Sequence, residues 1–173
     1  MRRYSRLSRA EIIRAYDEVL DYCIGVSDEF SAGALPFSES GSAHFADCRV
    51  LFLLDLRLLA GSLIVIVLLK LYDKRYKLPH LGGHGAPFWG AAGMAAALAL
   101  IGIAAATDLD RAFIVFHSLF FPGKDNWVFN AATDPVILIM PDAFFRNCAI
   151  FILAVLLIPS AVIIISDKRK GYA

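Results

Sequence analysis

Three stretches of this chain, 50–72, 88–107 and 147–166, are apolar over about 20 residues, the length an α-helix needs to cross the hydrocarbon of a bilayer. Nothing else in the sequence constrains the fold as strongly. Hydrophobic residues make up 58% of the 173 and charged residues 19%, against roughly 45–50% and about 25% in a soluble domain. Disorder is excluded, and the expected class is an all-α membrane protein. Seventeen Lys and Arg against sixteen Asp and Glu leave a net charge of +1, with no basic surplus to hold a phosphate backbone, so nucleic acid is not an expected partner. Cys23, Cys48 and Cys148 lack CxxC spacing and read as packing residues rather than as disulfide or thiolate ligands.

Positive charge sets the orientation. Lys70 near the end of the first span with Lys74, Arg75 and Lys77 after it, and Lys168, Arg169 and Lys170 after the third, make two clusters that are both expected on the cytoplasmic side. The segments are then 1–49, an extracytoplasmic amphipathic helix and loop; 50–72, a span; 73–87, a cytoplasmic loop; 88–107, a span; 108–146, an extracytoplasmic loop; 147–166, a span; and 167–173, a cytoplasmic tail. The first fourteen residues conflict with this, because Arg2, Arg3, Arg6, Arg9 and Arg14 make an N-terminal tail that is hard to export unaided. The conflict points to a further span upstream of Met1, giving four in all.

Outside the spans the local signals are plain. Ser8 and Glu11 form a capping box, and Ile12, Ile13, Tyr16, Val19, Leu20, Cys23 and Ile24 follow at helical spacing, with Glu11, Asp17, Glu18 and Asp21 on the polar face. Residues 27–42 read as loop. In the second outer segment an apolar run, Ala112 to Phe121, meets a Pro122-Gly123 turn, a strand-like Trp127 to Phe129, and Asp134-Pro135, which reads as an N-cap and first helical position. Pro141-Asp142 starts the third span in the same way, and Pro159 is expected to kink it.

Two histidines fall on the outer side. If helix already runs at His44, Asp47 and Asp55 share its stripe, Asp55 lying about 20° from the same face at about 100° per residue, while Arg57 points nearly opposite. Asp55 sits near the outer edge of the hydrocarbon, where an ionisable side chain needs a partner or a wet cavity. His117 stands among Phe116, Phe120 and Phe121, surroundings that favour a neutral imidazole able to accept a proton, as a general base must. Each feature also has a plainer reading. A lone interfacial His is an amphipathic anchor, Asp47 a first-turn acid, Asp55 and Arg57 a structural polar pair, and Trp127 an interface-belt residue. His80 and His84, in PHLGGHGAP, are separated by the helix-breaking Gly82 and Gly83 and have no third ligand near, so no metal is expected. No GxSxG, HExxH or SxxK pattern is present.

Taken together, the two histidine segments are similar to a known family. HFADCR resembles its H-hydrophobic-x-D-x-K/R element, and FHSLFFPGKDNWVFNAATDPVILIMPDAFF its FHxxFF…W…D…LI…P…FF element, in the same order and spacing. This family is the lipoprotein intramolecular transacylases, integral membrane proteins of bacteria, and the similarity runs from about Ser8 to Lys170. The resemblance implies four spans under a small extracytoplasmic head, of which this sequence holds three, in the bacterial cytoplasmic membrane with the active site facing outward. It implies transfer of the sn-2 acyl chain of a diacylglyceryl-modified N-terminal cysteine to that cysteine's α-amino group. The partners are then a diacylglyceryl lipoprotein N-terminus and membrane lipid, with no metal or other cofactor. By motif, the essential histidines fall on His44 and His117, and Asp47, Arg49, Trp127 and Asp134 match supporting positions, to which Asp55 is added from the helix-face argument.

The residues suit that reaction. An α-amino group with pKa near 7.7–8.0 needs a base, and an sn-2 alkoxide leaving group needs an acid. His117 in its phenylalanine setting reads as the base and His44 beside Asp47 as the acid, with the roles interchangeable on sequence alone. Three other readings make different demands: a non-catalytic membrane subunit or scaffold, a pair of haem-ligating histidines, and a hydrolase releasing the acyl chain to water.

Overall fold

The computed structural model describes residues 7–76 and 80–170, and of 168–170 only the backbone. The described residues form α1 (Arg9–Ile24), α2 (Glu39–Tyr76), α3 (Ala86–Thr107), α4 (Leu109–Phe120), a 3-10 turn (Pro135–Leu138) and α5 (Asp142–Lys170), with no strand among them. Arg2, Arg3, Arg6 and Lys77 lie outside the described residues. Three helices, α2, α3 and α5, are long and apolar enough to cross a membrane, and their apolar side chains are almost all exposed. In water such exposure would be untenable, whereas in hydrocarbon it carries no cost. Helix α2 has 38 residues, about 57 Å of helix against about 30 Å of hydrocarbon, so it runs well beyond the apolar stretch 50–72. The helix that the sequence begins at residue 50 thus extends back to Glu39, and His44 rides on it.

By its contacts the chain divides into two units, residues 1–63 with 117–143, and residues 64–116 with 144–173. In the first, α1 starts at a complete capping box between Ser8 and Glu11 and ends at Gly25, whose φ of 84° is left-handed. Its buried stripe is Ala15, Val19 and Cys23, one residue per turn, packed with Ala32, Leu35 and Phe45. Ile12 and Ile13, expected on the apolar face, are exposed. Glu18, expected on the polar face, accepts from the Ser31 hydroxyl at 2.5 Å and the Gly33 amide at 2.9 Å, tying the following loop to the helix. Gly33 comes so close to α1 that a Cβ there would stand 3.2 Å from the Ala15 Cα.

The segment 121–141 supplies the rest of this unit. Trp127 to Phe129, expected as a strand, is turn and coil. No strand lies alongside to share its amides; the Val128 amide closes a turn on the Asp125 carbonyl and the Trp127 indole N–H donates to the Lys124 carbonyl. Asp134 precedes the turn Pro135–Leu138 but makes no side-chain cap to it. Its carboxylate instead accepts from the Ser38 amide at 2.7 Å and the Ser38 hydroxyl at 2.9 Å. Ser38 in turn accepts from the Gly41 amide at 3.0 Å, so a buried acid backs the N-terminus of α2, where the helix dipole favours negative charge.

In the second unit, Gly82 and Gly83 take left-handed φ values of 58° and 80° in a tight turn joining Leu81 to His84. His84 stacks on Phe88 at 3.8 Å, and its Nδ1 lies 2.6 Å from the Asp167 carboxylate. Gly102 of α3 faces the Leu153 side chain of α5, where a Cβ would stand 3.5 Å from the nearest Leu153 methyl, in ordinary contact. Pro159 lies inside α5 without ending it.

Candidate active site

His44 and His117 come together in the first unit. Their ring centroids are 5.8 Å apart, and the residues are only 6% and 7% exposed. His44 sits two turns into α2, six residues, or about 9 Å, ahead of Val50. His117 lies in the last turn of α4. Aromatic rings enclose both. Phe121 and Phe129 present their edges to His44 at 5.0 and 5.4 Å, Phe121 also lies 5.7 Å from His117, and Trp127 stacks under His117 at 4.6 Å. Phe116 and Phe120, which the sequence places around His117, are exposed. Phe116 lies about 100° round the helix from His117 and so points away from its face, whereas Phe121, four residues on, lies on that face.

Burial lowers the His44 pKa from its ordinary 6.5 to about 4; His117 adds to this, and Asp47 and Asn126 only partly oppose it. At neutral pH His44 is therefore an uncharged imidazole. One turn along α2, the Cys48 thiol lies 3.4 Å from His44 Nε2. Burial drives that thiol up to about 12, with Cys23 and Asp47 contributing, so it stays protonated. Asp47 accepts from Lys124 Nζ at 2.5 Å and from Asn126 Nδ2 at 3.0 Å. Burial disfavours the Asp47 carboxylate, but those two donors outweigh it and hold the carboxyl below the usual range.

The other anticipated residues divide by position. Trp127 packs against His117 directly. Arg49 points away from the histidines and braces the head: its guanidinium donates to the Tyr22 carbonyl at 2.9 Å, to the Ser27 carbonyl and to the Asp28 carboxylate at 2.8 Å, and lies over the Tyr22 ring at 4.8 Å. Asp134 supports the start of α2, six residues before His44 by way of Ser38. Asp55 does not join them. It is exposed, and the eleven residues separating it from His44 amount to about 16 Å along the axis, so a shared face does not bring the groups into contact.

Three residues around His44 were not singled out beforehand. Cys48 was readable, because residues four apart on a helix are neighbours. Asn126 and Lys124 carry no such signal, since their meeting with Asp47 joins positions almost 80 apart in sequence. Among the described residues no three His, Cys, Asp or Glu side chains converge as a metal site would require. What the arrangement offers is two imidazoles in an apolar cage, one of them neutral, with a charged network on the far side of that neutral ring.

A family model described as lipoprotein intramolecular transacylase Lit matches residues 1–145. Among solved structures, the chain is similar to the in meso structure of the membrane integral lipoprotein intramolecular transacylase Lit from Bacillus cereus, with a TM-score of 0.81 and 22% identity, over 95% of this chain and 74% of that one. It is similar also to two variants of that protein in which one histidine is replaced. The arginine variant gives a TM-score of 0.73 at 23% identity over 95% and 74% of the two chains. The alanine variant gives 0.70 at 23% over 95% and 75%. Comparison with the curated proteins yields no match.

Proposed function

This chain belongs to the lipoprotein intramolecular transacylase family, and on that premise we propose that His44 and His117 move protons while an acyl chain passes from oxygen to nitrogen within one lipoprotein molecule. The acyl donor is the sn-2 ester of a diacylglyceryl-modified N-terminal cysteine, and the acceptor is that cysteine's own α-amino group. The product is the lyso-form lipoprotein. The observation that carries the reading is the meeting of two buried imidazoles 5.8 Å apart inside an apolar cage.

The cage disfavours ammonium, so the substrate amine enters the site neutral. Its nitrogen attacks the ester carbonyl carbon and closes a ring of roughly eight atoms; because both groups belong to one molecule, proximity supplies most of the rate. As the C–N bond forms, the N–H becomes acidic and His44, neutral at rest, takes its proton. His117 gives a proton to the sn-2 oxygen as the C–O bond breaks. The ring face of Trp127 lies against His117 and holds its orientation for this role. Transfer of the proton from His44 to His117 then resets the pair, so the net change is one proton moved from nitrogen to oxygen. This takes the roles in the order opposite to the one the phenylalanine setting of His117 first suggested, because burial holds His44 uncharged and so free to accept a proton. Such acid–base help is worth about 10²–10⁴-fold. With the two positive clusters on the cytoplasmic side, the site opens at the outer lip of the bilayer.

Expression of His44→Ala and His117→Ala in cells making a defined lipoprotein, with the N-terminus read by mass spectrometry, tests the reading. Loss of the N-acylated lyso-form in each is the expected result. Undiminished lyso-form in both overturns it.

A further inference from the structure

Two buried side-chain atoms lack a hydrogen-bond partner among the described residues, His44 Nδ1 and Asn126 Oδ1. They belong to side chains that interact, the Asn126 amide being one of the groups acting on the His44 ring. Each of the remaining polar atoms of the two side chains is engaged: His44 Nε2 with the Cys48 thiol at 3.4 Å, and Asn126 Nδ2 with Asp47 Oδ2 at 3.0 Å. A buried ring nitrogen and a buried carbonyl left unpaired each bear the cost of desolvation, and a small torsional adjustment of Asn126 that brings them together, with the proton on Nδ1, removes both costs at once.

We propose that Asn126 is a positioning residue for His44, accepting a proton-bearing Nδ1 on its side-chain carbonyl while its amide is held by Asp47, which is held in turn by Lys124. The inference rests on the reading of His44 as the base. The chain Lys124–Asp47–Asn126–His44 fixes one tautomer, with the proton on Nδ1 and the lone pair on Nε2. The Cys48 S–H caps that lone pair at rest and is a weak enough donor for a substrate amine to displace it. When Nε2 takes the proton, the new charge is matched by Asp47 through a neutral amide. That position stabilises imidazolium without placing a carboxylate against the ring, which would hold it charged at rest. The charged and titratable groups facing His44 are His117 from α4, Lys124 from the loop, and Asp47 and Cys48 from its own helix.

The test uses the full chain in detergent micelles with a synthetic diacylglyceryl-cysteine lipopeptide, together with ¹⁵N-histidine NMR to read which ring nitrogen of His44 carries the proton. Wild-type protein is expected to show the Nδ1-protonated form. Asn126→Ala is expected to give a mixture of tautomers and about a tenfold fall in kcat, with KM nearly unchanged. Asn126→Asp, which sets a carboxylate opposite Nδ1, is expected to hold His44 doubly protonated at rest, with both ring nitrogens carrying a proton, and to leave kcat low. An Nε2-protonated His44 in the wild type overturns the proposal, whatever the variants do. So does an Asn126→Ala protein with wild-type kcat and tautomer while His44→Ala is inactive. Full activity in His44→Ala instead overturns the reading of His44 as base.

Discussion

The start of α2 can be tested with a pair of substitutions whose effects are not independent. The Asp134 carboxylate holds Ser38 through two charge-assisted bonds, 2.7 Å from the amide and 2.9 Å from the hydroxyl, and is 3% exposed. Each such bond is worth about 1.5–3 kcal/mol, and replacement by alanine regains part of the desolvation of the carboxylate, so Asp134→Ala should lose about 3 kcal/mol. At about 2–4 °C per kcal/mol for a chain of this size, the unfolding midpoint falls by about 6–12 °C. Gly41 stands directly under the same carboxylate: a Cβ there would overlap Asp134 and press on Phe129. Gly41→Ala should therefore also lower the midpoint, by forcing Asp134 off Ser38. With the carboxylate already gone, the added methyl meets only the Phe129 ring edge, and the double variant should be little worse than Asp134→Ala. Thermal unfolding of the four proteins in detergent, followed by tryptophan fluorescence, gives the cycle. Midpoint losses that simply add, or an Asp134→Ala loss below about 2 °C, would refute the account of how α2 begins.

Arg49→Lys should cost about 2 kcal/mol, because a lysine ammonium cannot reach two carbonyls and a carboxylate while lying over Tyr22, whereas Asp28→Asn should change little, since Asp28 is 96% exposed; denaturant midpoints that move equally would contradict this. Acid should unfold the head in two stages. His44 has its folded-state pKa lowered from 6.5 to about 4, so its contribution is complete above pH 6.5 and is lost as pH falls toward 4, about 3 kcal/mol in all. Asp47 and Asp134 are also held low, so their contributions hold above the ordinary carboxylate range and are lost only as pH falls through it and below. His44→Asn should remove the first stage of a pH-dependent melting series and keep the second; a series unchanged by that substitution would show that His44 is not the group responsible.

What was legible in the sequence is what local chemistry determines. Apolar runs of span length gave α2, α3 and α5, and Ser8 with Glu11 gave the first turn of α1, because each signal lies within a few residues of its consequence. The apolar boundary at Val50, by contrast, marks where hydrocarbon begins and not where helix begins. The Ser38 cap twelve residues earlier governs that, and its support comes from Asp134, 96 positions on. The dipeptide Asp134-Pro135 is a sound local cap signal whose carboxylate found a stronger donor set elsewhere. Trp127 and Phe129 have the composition of a strand, yet their rings are taken up by His117 and His44. Asp55 shows the limit of a helical wheel, which gives angle but not rise.

One property of the cage bears on the choice between transfer and hydrolysis. Water attacking the same ester would release a free fatty acid, and water is the more abundant nucleophile. On the proposed mechanism, the burial that holds His44 neutral would also thin water around the carbonyl, so that the base and its selectivity would share an origin in the rings of Phe45, Phe121, Phe129 and Trp127. An imidazole in open solvent would be the stronger resting base, but it would activate water as readily as an amine. Placing a weaker base where the amine must already be uncharged costs basicity at rest. It recovers reactivity once the C–N bond begins to form and the N–H turns acidic, a gain available to the tethered amine and scarcely to a water molecule that must first enter the cage. Opening that cage at one ring therefore affects product identity before it affects total turnover: removing an aromatic wall shifts the ratio of free acid to amide upward even where the two histidines remain in place.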